Sequence, residues 1–279
     1  MAEDMQKSGI AFRKMHGAGN DFVVIDQRGE PHPLSADLVR AIGDRHRGVG
    51  FDQLAEIWPD DGAAARLVFW NADGSQSSAC GNATRCIAAW MMPGTGEMRL
   101  RTERGLLICQ RRLDGSVEVD MGPASLGWDD IPLAEECDTA ALPLPGKPAA
   151  CSMGNPHCTF FVESAEEVDL ARLGPDIEHH PLFPERTNVQ VVEVLTPDLA
   201  RVRVWERGVG VTLASGSSAC AVLVNGQRRG LLGRQAVLML DGGEIEVSMD
   251  DRGHLLMAGP SAHVFDGVFH SDAEAEVGG

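Results

Sequence analysis

Two short stretches carry residue types able to move a proton at an activated carbon. The first, Ala79-Cys80-Gly81-Asn82-Ala83-Thr84-Arg85-Cys86, runs into the apolar Ile87-Ala88-Ala89-Trp90-Met91-Met92. The second, Ala214-Ser215-Gly216-Ser217-Ser218-Ala219-Cys220, runs into Ala221-Val222-Leu223-Val224, and Ser215 stands 135 residues after Cys80 in a chain of 279. A thiol at the start of a buried helix meets free backbone N–H groups and the positive end of the helix dipole. Such a place favours a thiolate and also binds a carboxylate. A cysteine taken alone is more often a small core residue; its recurrence in a repeated Gly-containing loop sets Cys80 apart. Two such helix starts facing one another across a cleft would hold an amino-acid carboxylate with its α-carbon between residues 80 and 215. Taking the α-proton from one face and returning one to the other inverts the centre, with two groups in opposite protonation states.

The elements that must position these loops repeat as well. Ile10 to Met15 and Phe22 to Asp26 read as strands joined by a turn over His16-Gly17-Ala18-Gly19-Asn20. Ser35 can cap a helix reaching Asp44 with Leu38, Val39 and Ile42 on one face, Gly48 to Gln53 reads as a loop, and Ala65 to Asn71 as a strand. Ala83 to Met92 is apolar nearly all round, the pattern of a helix buried on every side. Met98 to Thr102, Leu106 to Arg112 and Val117 to Met121 follow as strands, with a hairpin turn at Asp114-Gly115. In the second half Gly19-Asn20 recurs as Gly154-Asn155 and Cys80 as Ser215, both at an offset of 135, and Gly122-Pro123 recurs as Gly259-Pro260 at 137. The expectation is an α/β chain of the α+β type. Two pseudo-symmetric domains from an internal duplication each wrap a mixed, largely antiparallel sheet round a buried central helix, with the active site in the cleft between them. The boundaries expected are 1–123 and 124–262, with 263–270 returning to the first domain and an acidic, disordered tail over 271–279.

Composition narrows the chemistry. A net charge of −17 without a Lys/Arg cluster argues against a nucleic-acid partner. No apolar run reaches the roughly 20 residues of a membrane span, and the acidic start lacks the pattern of a signal peptide, so a cytoplasmic protein is expected. Seven cysteines without regular spacing suit a reduced compartment. Metal-site spacings are absent, so no metal is expected. The three lysines, Lys7, Lys14 and Lys147, do not read as a Schiff-base residue, so chemistry at an amino-acid carbon would run without pyridoxal phosphate and without any other cofactor.

Further motifs complete the pattern: His16-Gly17-Ala18-Gly19-Asn20-Asp21-Phe22, Phe51-Asp52-Gln53, Asn71-Ala72-Asp73-Gly74-Ser75, Gly154-Asn155-Pro156-His157, Arg186-Thr187-Asn188 and Trp205-Glu206-Arg207-Gly208-Val209-Gly210. Together with the Cys80 loop they resemble the diaminopimelate epimerase family, over about Phe12 to Phe269. The resemblance implies a two-domain α/β fold, independence of cofactors, a small-molecule substrate, and interconversion of LL- and meso-diaminopimelate on the route to lysine and cell-wall peptide. It also implies Cys80 as one acid/base with His157 setting its protonation, and Glu206 as the partner on the face of residue 215. Gly81-Asn82 and Gly216-Ser217 would supply amides to the reacting carboxylate. Asn20, Asn71, Asn155, Asn188 and Arg207 would hold the distal end, with Gln53 nearby. Asn both donates and accepts, and Arg can clamp a carboxylate with two bonds. A homodimer is compatible with the family. Each residue taken singly has a plainer reading: Asn20 and Asn155 as turn residues, His157 as a satisfied loop histidine, Glu206-Arg207 as a solvated ion pair.

One position departs from the family pattern. The resemblance puts the second catalytic cysteine where this chain has Ser215, and a hydroxyl is a much weaker acid than a thiol of pKa about 8.5. Loss of a matched acid/base costs on the order of 10²- to 10⁴-fold, so impaired turnover is expected. A replacement in an otherwise active enzyme and a natural variant with changed chemistry, such as one-sided proton exchange or elimination, both remain open. Two rival functions stand beside the epimerase. One is a proline-type racemase or related dehydratase, against which Asn71, Asn188 and Arg207 argue. The other is a silent amino-acid-binding protein.

Overall fold

Alternating apolar positions put most of the chain into strands. The computed structural model describes residues 9–270, so the acidic start and the 271–279 tail lie outside the described residues. In chain order the elements are β1 (Ile10–Gly17), β2 (Asn20–Asp26), α1 (Ala36–Gly43), β3 (Gln53–Trp58), β4 (Ala65–Asn71), β5 (Gln76–Ser77), α2 (Gly81–Met91), β6 (Gly96–Thr102), β7 (Gly105–Arg111) and β8 (Val117–Pro123). The second half continues with β9 (Ala149–Ser152), β10 (Pro156–Val162), α3 (Leu170–Glu178), β11 (Asn188–Thr196), β12 (Leu199–Glu206), β13 (Gly210–Thr212), α4 (Gly216–Arg228), β14 (Gln235–Leu240), β15 (Gly243–Met249), β16 (His254–Gly259) and β17 (Ala262–Phe269). The loop expected at Gly48 to Gln53 ends one residue early, because Gln53 already pairs with Phe22 as the first residue of β3. Likewise the turn expected over residues 16–20 contracts to Ala18 and Gly19, at φ 51° and 80°, with Gly17 paired to Asn20. Positive φ at both central residues lets a two-residue hairpin follow the strand twist.

The halves share one pairing signature. β1 to β2 is antiparallel, β2 to β3 parallel, β3 to β4 antiparallel, β4 to β6 parallel, and β6 to β7 and β7 to β8 antiparallel. The same series runs from β9 through β10, β11, β12, β14 and β15 to β16. Then β16 pairs antiparallel with β8, and β17 crosses back to pair with β1. The duplicated units therefore share a continuous ladder, and the pseudo-twofold axis falls between β8 and β16.

Each half buries one helix in its sheet. Around α2 lie Met15, Phe22, Phe69, Leu100 and Val119, and around α4 lie Val192, Val202, Leu238, Ile245 and Met257. Every residue of α2 from Gly81 to Ala88 is buried. Fully burying a side chain such as Ile87 or Leu223 stabilises by about 1.5–3 kcal/mol. Helix α2 stops where the Met92 N–H reaches back to Ala88 O ahead of Pro93; α4 stops at Gly230, which turns at φ 68° and donates to Gln227 O.

The halves also touch at the hairpin preceding Asn20. A methyl group at Gly242, in the β14–β15 turn, would run into the Ala18 carbonyl and the Leu213 side chain. Because backbone gives way less readily than a side-chain end, Gly242→Ala is expected to destabilise the chain by about 1–3 kcal/mol. The midpoint of urea unfolding reads this directly, and an unchanged midpoint would show that the hairpin can shift freely.

Candidate active site

Cys80 and Ser215 occupy matching positions. Each is the N-cap of the central helix of its half, at φ −145°, ψ 105° and φ −143°, ψ 120°. Their side chains behave differently: Cys80 Sγ accepts from the Ala83 N–H at 3.4 Å, whereas Ser215 makes no side-chain cap bond. The helix starts lie against one another. A methyl group at Gly216 would sit 3.4 Å from Asn82 Oδ1 and press on Met257 Sδ, and one at Gly81 would press on Met121 and Met257. Gly81-Asn82 and Gly216-Ser217, the first two residues of α2 and α4, thus pack close together over Met121 and Met257 of the paired strands β8 and β16.

The other site residues arrive through sheet register. Gln53 and Asn71 are partners across β3 and β4, and Gln53 Nε2 donates to Asn71 Oδ1 at 3.0 Å. In the second half His157 and Asn188 are partners across β10 and β11. Asn188 lies 135 residues after Gln53, Glu206 135 after Asn71, and His157 135 after Phe22. The titratable groups Glu206 and His157 therefore stand where the duplication has diverged from an amide and a phenyl ring. The register equivalences of Gln53 with Asn188 and of Asn71 with Glu206 were readable from the offset that matched Cys80 to Ser215, but the sequence reading did not draw them.

A buried relay ties the first helix start to a charged cluster. Asn82 Nδ2 donates to Asn20 Oδ1 at 3.1 Å, Asn20 Nδ2 donates to Asp52 Oδ2 at 2.8 Å, and Arg45 donates to Asp52 Oδ1 at 2.7 Å. Sequence reasoning did not single out Asp52, although it lies in the Phe51-Asp52-Gln53 motif. Lys14 is held by Asp21 and the Gly50 carbonyl, which occupies it in an ion pair.

On the other side, His157 is fully buried in strand β10 rather than in a loop. Its Nε2 faces Asn155 Oδ1 at 2.9 Å and its Nδ1 faces Gln190 Nε2 at 3.0 Å. An amide oxygen on one nitrogen and an amide N–H on the other assign the neutral tautomer protonated at Nε2. Gln190, which also donates to Ser218 Oγ at 3.1 Å, was missed in the sequence; its signal was the strand alternation that puts it on the same face as Asn188. Asn188 donates to Pro156 O at 2.8 Å and accepts from the Arg207 N–H at 3.0 Å. The Arg207 side chain donates to Glu185 O, and with Asn155, Glu185 and Arg104 it lines a cavity of about 460 Å³. Among the described residues no hydrogen bond joins Cys80 or Ser215 to His157 or Glu206.

Burial separates the protonation states. It pushes the Cys80 thiol up to about 12, with the Ala83 amide opposing and the Glu206 charge adding. It pushes His157 down to about 3, helped by the charges of Arg207 and Arg104. It pushes Glu206 up to about 7, with the Thr212 hydroxyl opposing and Asp52 adding. Asp52 is itself raised by burial, against its bond from Asn20. Near neutral pH Cys80 is a thiol, His157 is an uncharged ring, and Glu206 is the group whose proton comes and goes. Among the described residues no group of three or more His, Cys, Asp or Glu is arranged to hold a metal ion, and no helix is long and apolar enough to cross a membrane.

The chain is similar to known proteins in sequence and in fold. The family model for diaminopimelate epimerase matches twice, over residues 12–127 and 149–264, which are the two halves of the ladder. A diaminopimelate epimerase of Acidiphilium cryptum is 54% identical over 262 residues, covering 92% of this chain and 95% of the relative. That of Rhodospirillum centenum is also 54% identical, covering 92% and 91%. In fold the chain is similar to a hydroxyproline epimerase of Agrobacterium vitis (TM-score 0.70, 15% identity, 96% and 95% of the two chains). It is similar also to a phenazine biosynthesis protein of the PhzF family from Bacillus anthracis (TM-score 0.66, 13% identity, 94% and 99%). With the family pattern found in both halves and relatives of this identity over nearly the whole length, the chain belongs to the diaminopimelate epimerase family.

Proposed function

We propose that the chain is a cofactor-independent isomerase that interconverts LL- and meso-diaminopimelate by two-sided proton transfer, and that Ser215 slows it. The observation that carries the reading is the matched pair of helix N-caps, Cys80 and Ser215, with nearly equal backbone angles on helices whose first turns abut. A substrate carboxylate lodged between those turns would accept from the amides of Gly81, Asn82, Gly216 and Ser217, and the same amides would stabilise the negative charge that develops when the α-proton leaves. Cys80 then serves one face. On the other face the Glu206 carboxylate must draw on the Ser215 hydroxyl, a far more reluctant donor than a thiol. The Asp52 carboxylate, where ionised, would face an ammonium, while Asn71, Asn155, Asn188 and Arg207 offer donors and acceptors to a second amino-acid end. His157, held neutral between Asn155 and Gln190, would orient this wall.

The reading includes closure of unit 1–123 with 263–270 onto unit 124–262, which would exclude water from the reacting carbon. It further includes a cytoplasmic role in making lysine and peptidoglycan precursors, and self-association into a homodimer. Calorimetric titration with meso-diaminopimelate beside a coupled epimerase assay tests the function. Binding with slow turnover is expected, and no binding to either stereoisomer would refute it. Binding without turnover, retained after Ser215→Cys, would support the silent binder. In deuterium oxide the unsubstituted chain is expected to exchange the α-proton of one stereoisomer, the one presenting it to Cys80. Absence of exchange from both would count against Cys80 acting alone.

A further inference from the structure

Arg85 is the one arginine among the described residues that is wholly buried. It lies one turn into α2, behind Cys80. Nη1 donates to Asn82 Oδ1 at 2.9 Å, Nε and Nη2 both donate to Pro260 O at 3.2 and 3.1 Å, and Nη1 also faces Met257 Sδ at 3.8 Å. None of these partners is charged, and among the described residues no carboxylate forms an ion pair with it. A buried guanidinium without a counter-ion is costly and is normally found paired. Room is kept for it: a methyl group at Gly17 would meet Nη2 at 2.6 Å, and one at Gly259 would meet its central carbon at 3.3 Å. Burial works against its charge, while the Cys86, Cys80 and Cys220 thiols, when ionised, favour it.

We propose that Arg85 is a positioning residue for the proton transfer, a fixed buried cation that stabilises the Cys80 thiolate as it forms and, through Asn82, holds the amide lip of the first helix start. Cys86 and Cys220 are fully buried within their helices. Cys80 alone of the three sits at a helix N-terminus, with an amide donating to its sulfur, and is partly exposed. The groups bearing on it are Glu206 and Cys86, which oppose its ionisation, and the Ala83 amide and Arg85, which favour it. The substrate is the diaminopimelate of the reading above, and the role of Arg85 rests on that reading only for its catalytic meaning.

The test separates the two. Alkylation of Cys80 by iodoacetamide at pH 8.5, followed by peptide mass mapping, needs no substrate. Arg85→Gln keeps hydrogen bonding toward Pro260 and removes the charge; it is expected to slow alkylation at least tenfold. Arg85→Lys keeps the charge and is expected to stay within about threefold, rescue that a packing role would not give. Circular dichroism checks both folds. If Arg85→Gln misfolds, Arg85→Lys is read against the same limits. Equal rates in all three proteins, or a tenfold loss in a folded Arg85→Lys, would overturn the proposal. If alkylation behaves as expected but calorimetry finds no diaminopimelate bound, the function fails while the electrostatic role stands.

Discussion

Ser215→Cys is expected to raise epimerase activity by at least about a hundredfold, the lower end of what a matched acid/base contributes. The backbone is already in place for it, since residue 215 has the N-cap conformation that Cys80 has. A thiol there is a change of one atom type, and the gain should appear in kcat far more than in KM, because the amides proposed to hold the carboxylate stay where they are. Every inversion uses both faces, so both directions should gain together. The measurement is the rate of LL to meso and meso to LL conversion in the coupled assay. A rate unchanged in both directions would show that residue 215 does not carry the second proton. A cost accompanies the gain: two thiols would then stand at neighbouring helix starts, and the variant should lose activity on air oxidation and recover it with dithiothreitol.

Glu206→Gln in the Ser215→Cys background is expected to remove two to three orders of magnitude of activity. Burial raises this carboxyl from 4.5 to about 7, so a base that must be ionised is lost as pH falls through 7. The parent's rate should therefore climb over about pH 6 to 8, and Glu206→Gln should flatten that limb. Stability should move the other way. Because the folded state holds the Glu206 proton more tightly than the unfolded chain does, the folded state loses stability as pH rises from 4.5 through about 7. The neutral amide escapes that loss, so at pH 8 Glu206→Gln should unfold at a higher urea concentration than its parent while turning over far more slowly. Such opposition is common where a site holds a strained charge. A variant both slow and less stable at pH 8 would instead point to a structural role for Glu206. His157, held neutral down to about 3, should add no limb of its own in this range.

Much of this architecture was legible in the chain. Ser35 and Asp44 bound α1 as the capping pattern indicated, and Ala65 to Asn71 is β4. The helix after Cys80 is buried on nearly every side, as an apolar run without a polar face requires. The repeat matches Cys80 to Ser215, and the two are the N-caps of α2 and α4. Less legible were β3 and β11, each reached through a parallel pairing with a strand some 30 residues earlier. Parallel partners are set by crossover geometry, and no local turn signal announces them. Asp52, Gln190 and Arg85 went unnoticed for a related reason: each has a partner 28 to 175 residues distant.

By itself the sequence determined the duplication, the two helix starts and the side chains available to them. Residue type, spacing and apolar periodicity are local properties, and they survive in a one-dimensional string. The tertiary structure decided what those side chains are worth. Closing β8 against β16 brings the first turns of α2 and α4 together. Burial then sets the Cys80 thiol near 12, Glu206 near 7 and His157 near 3. Among the described residues it also gives the Arg85 cation uncharged partners, Asn82 and the Pro260 carbonyl, in place of a carboxylate. Desolvation and the nearness of other charges depend on every segment that packs round a group, so no stretch of sequence contains them.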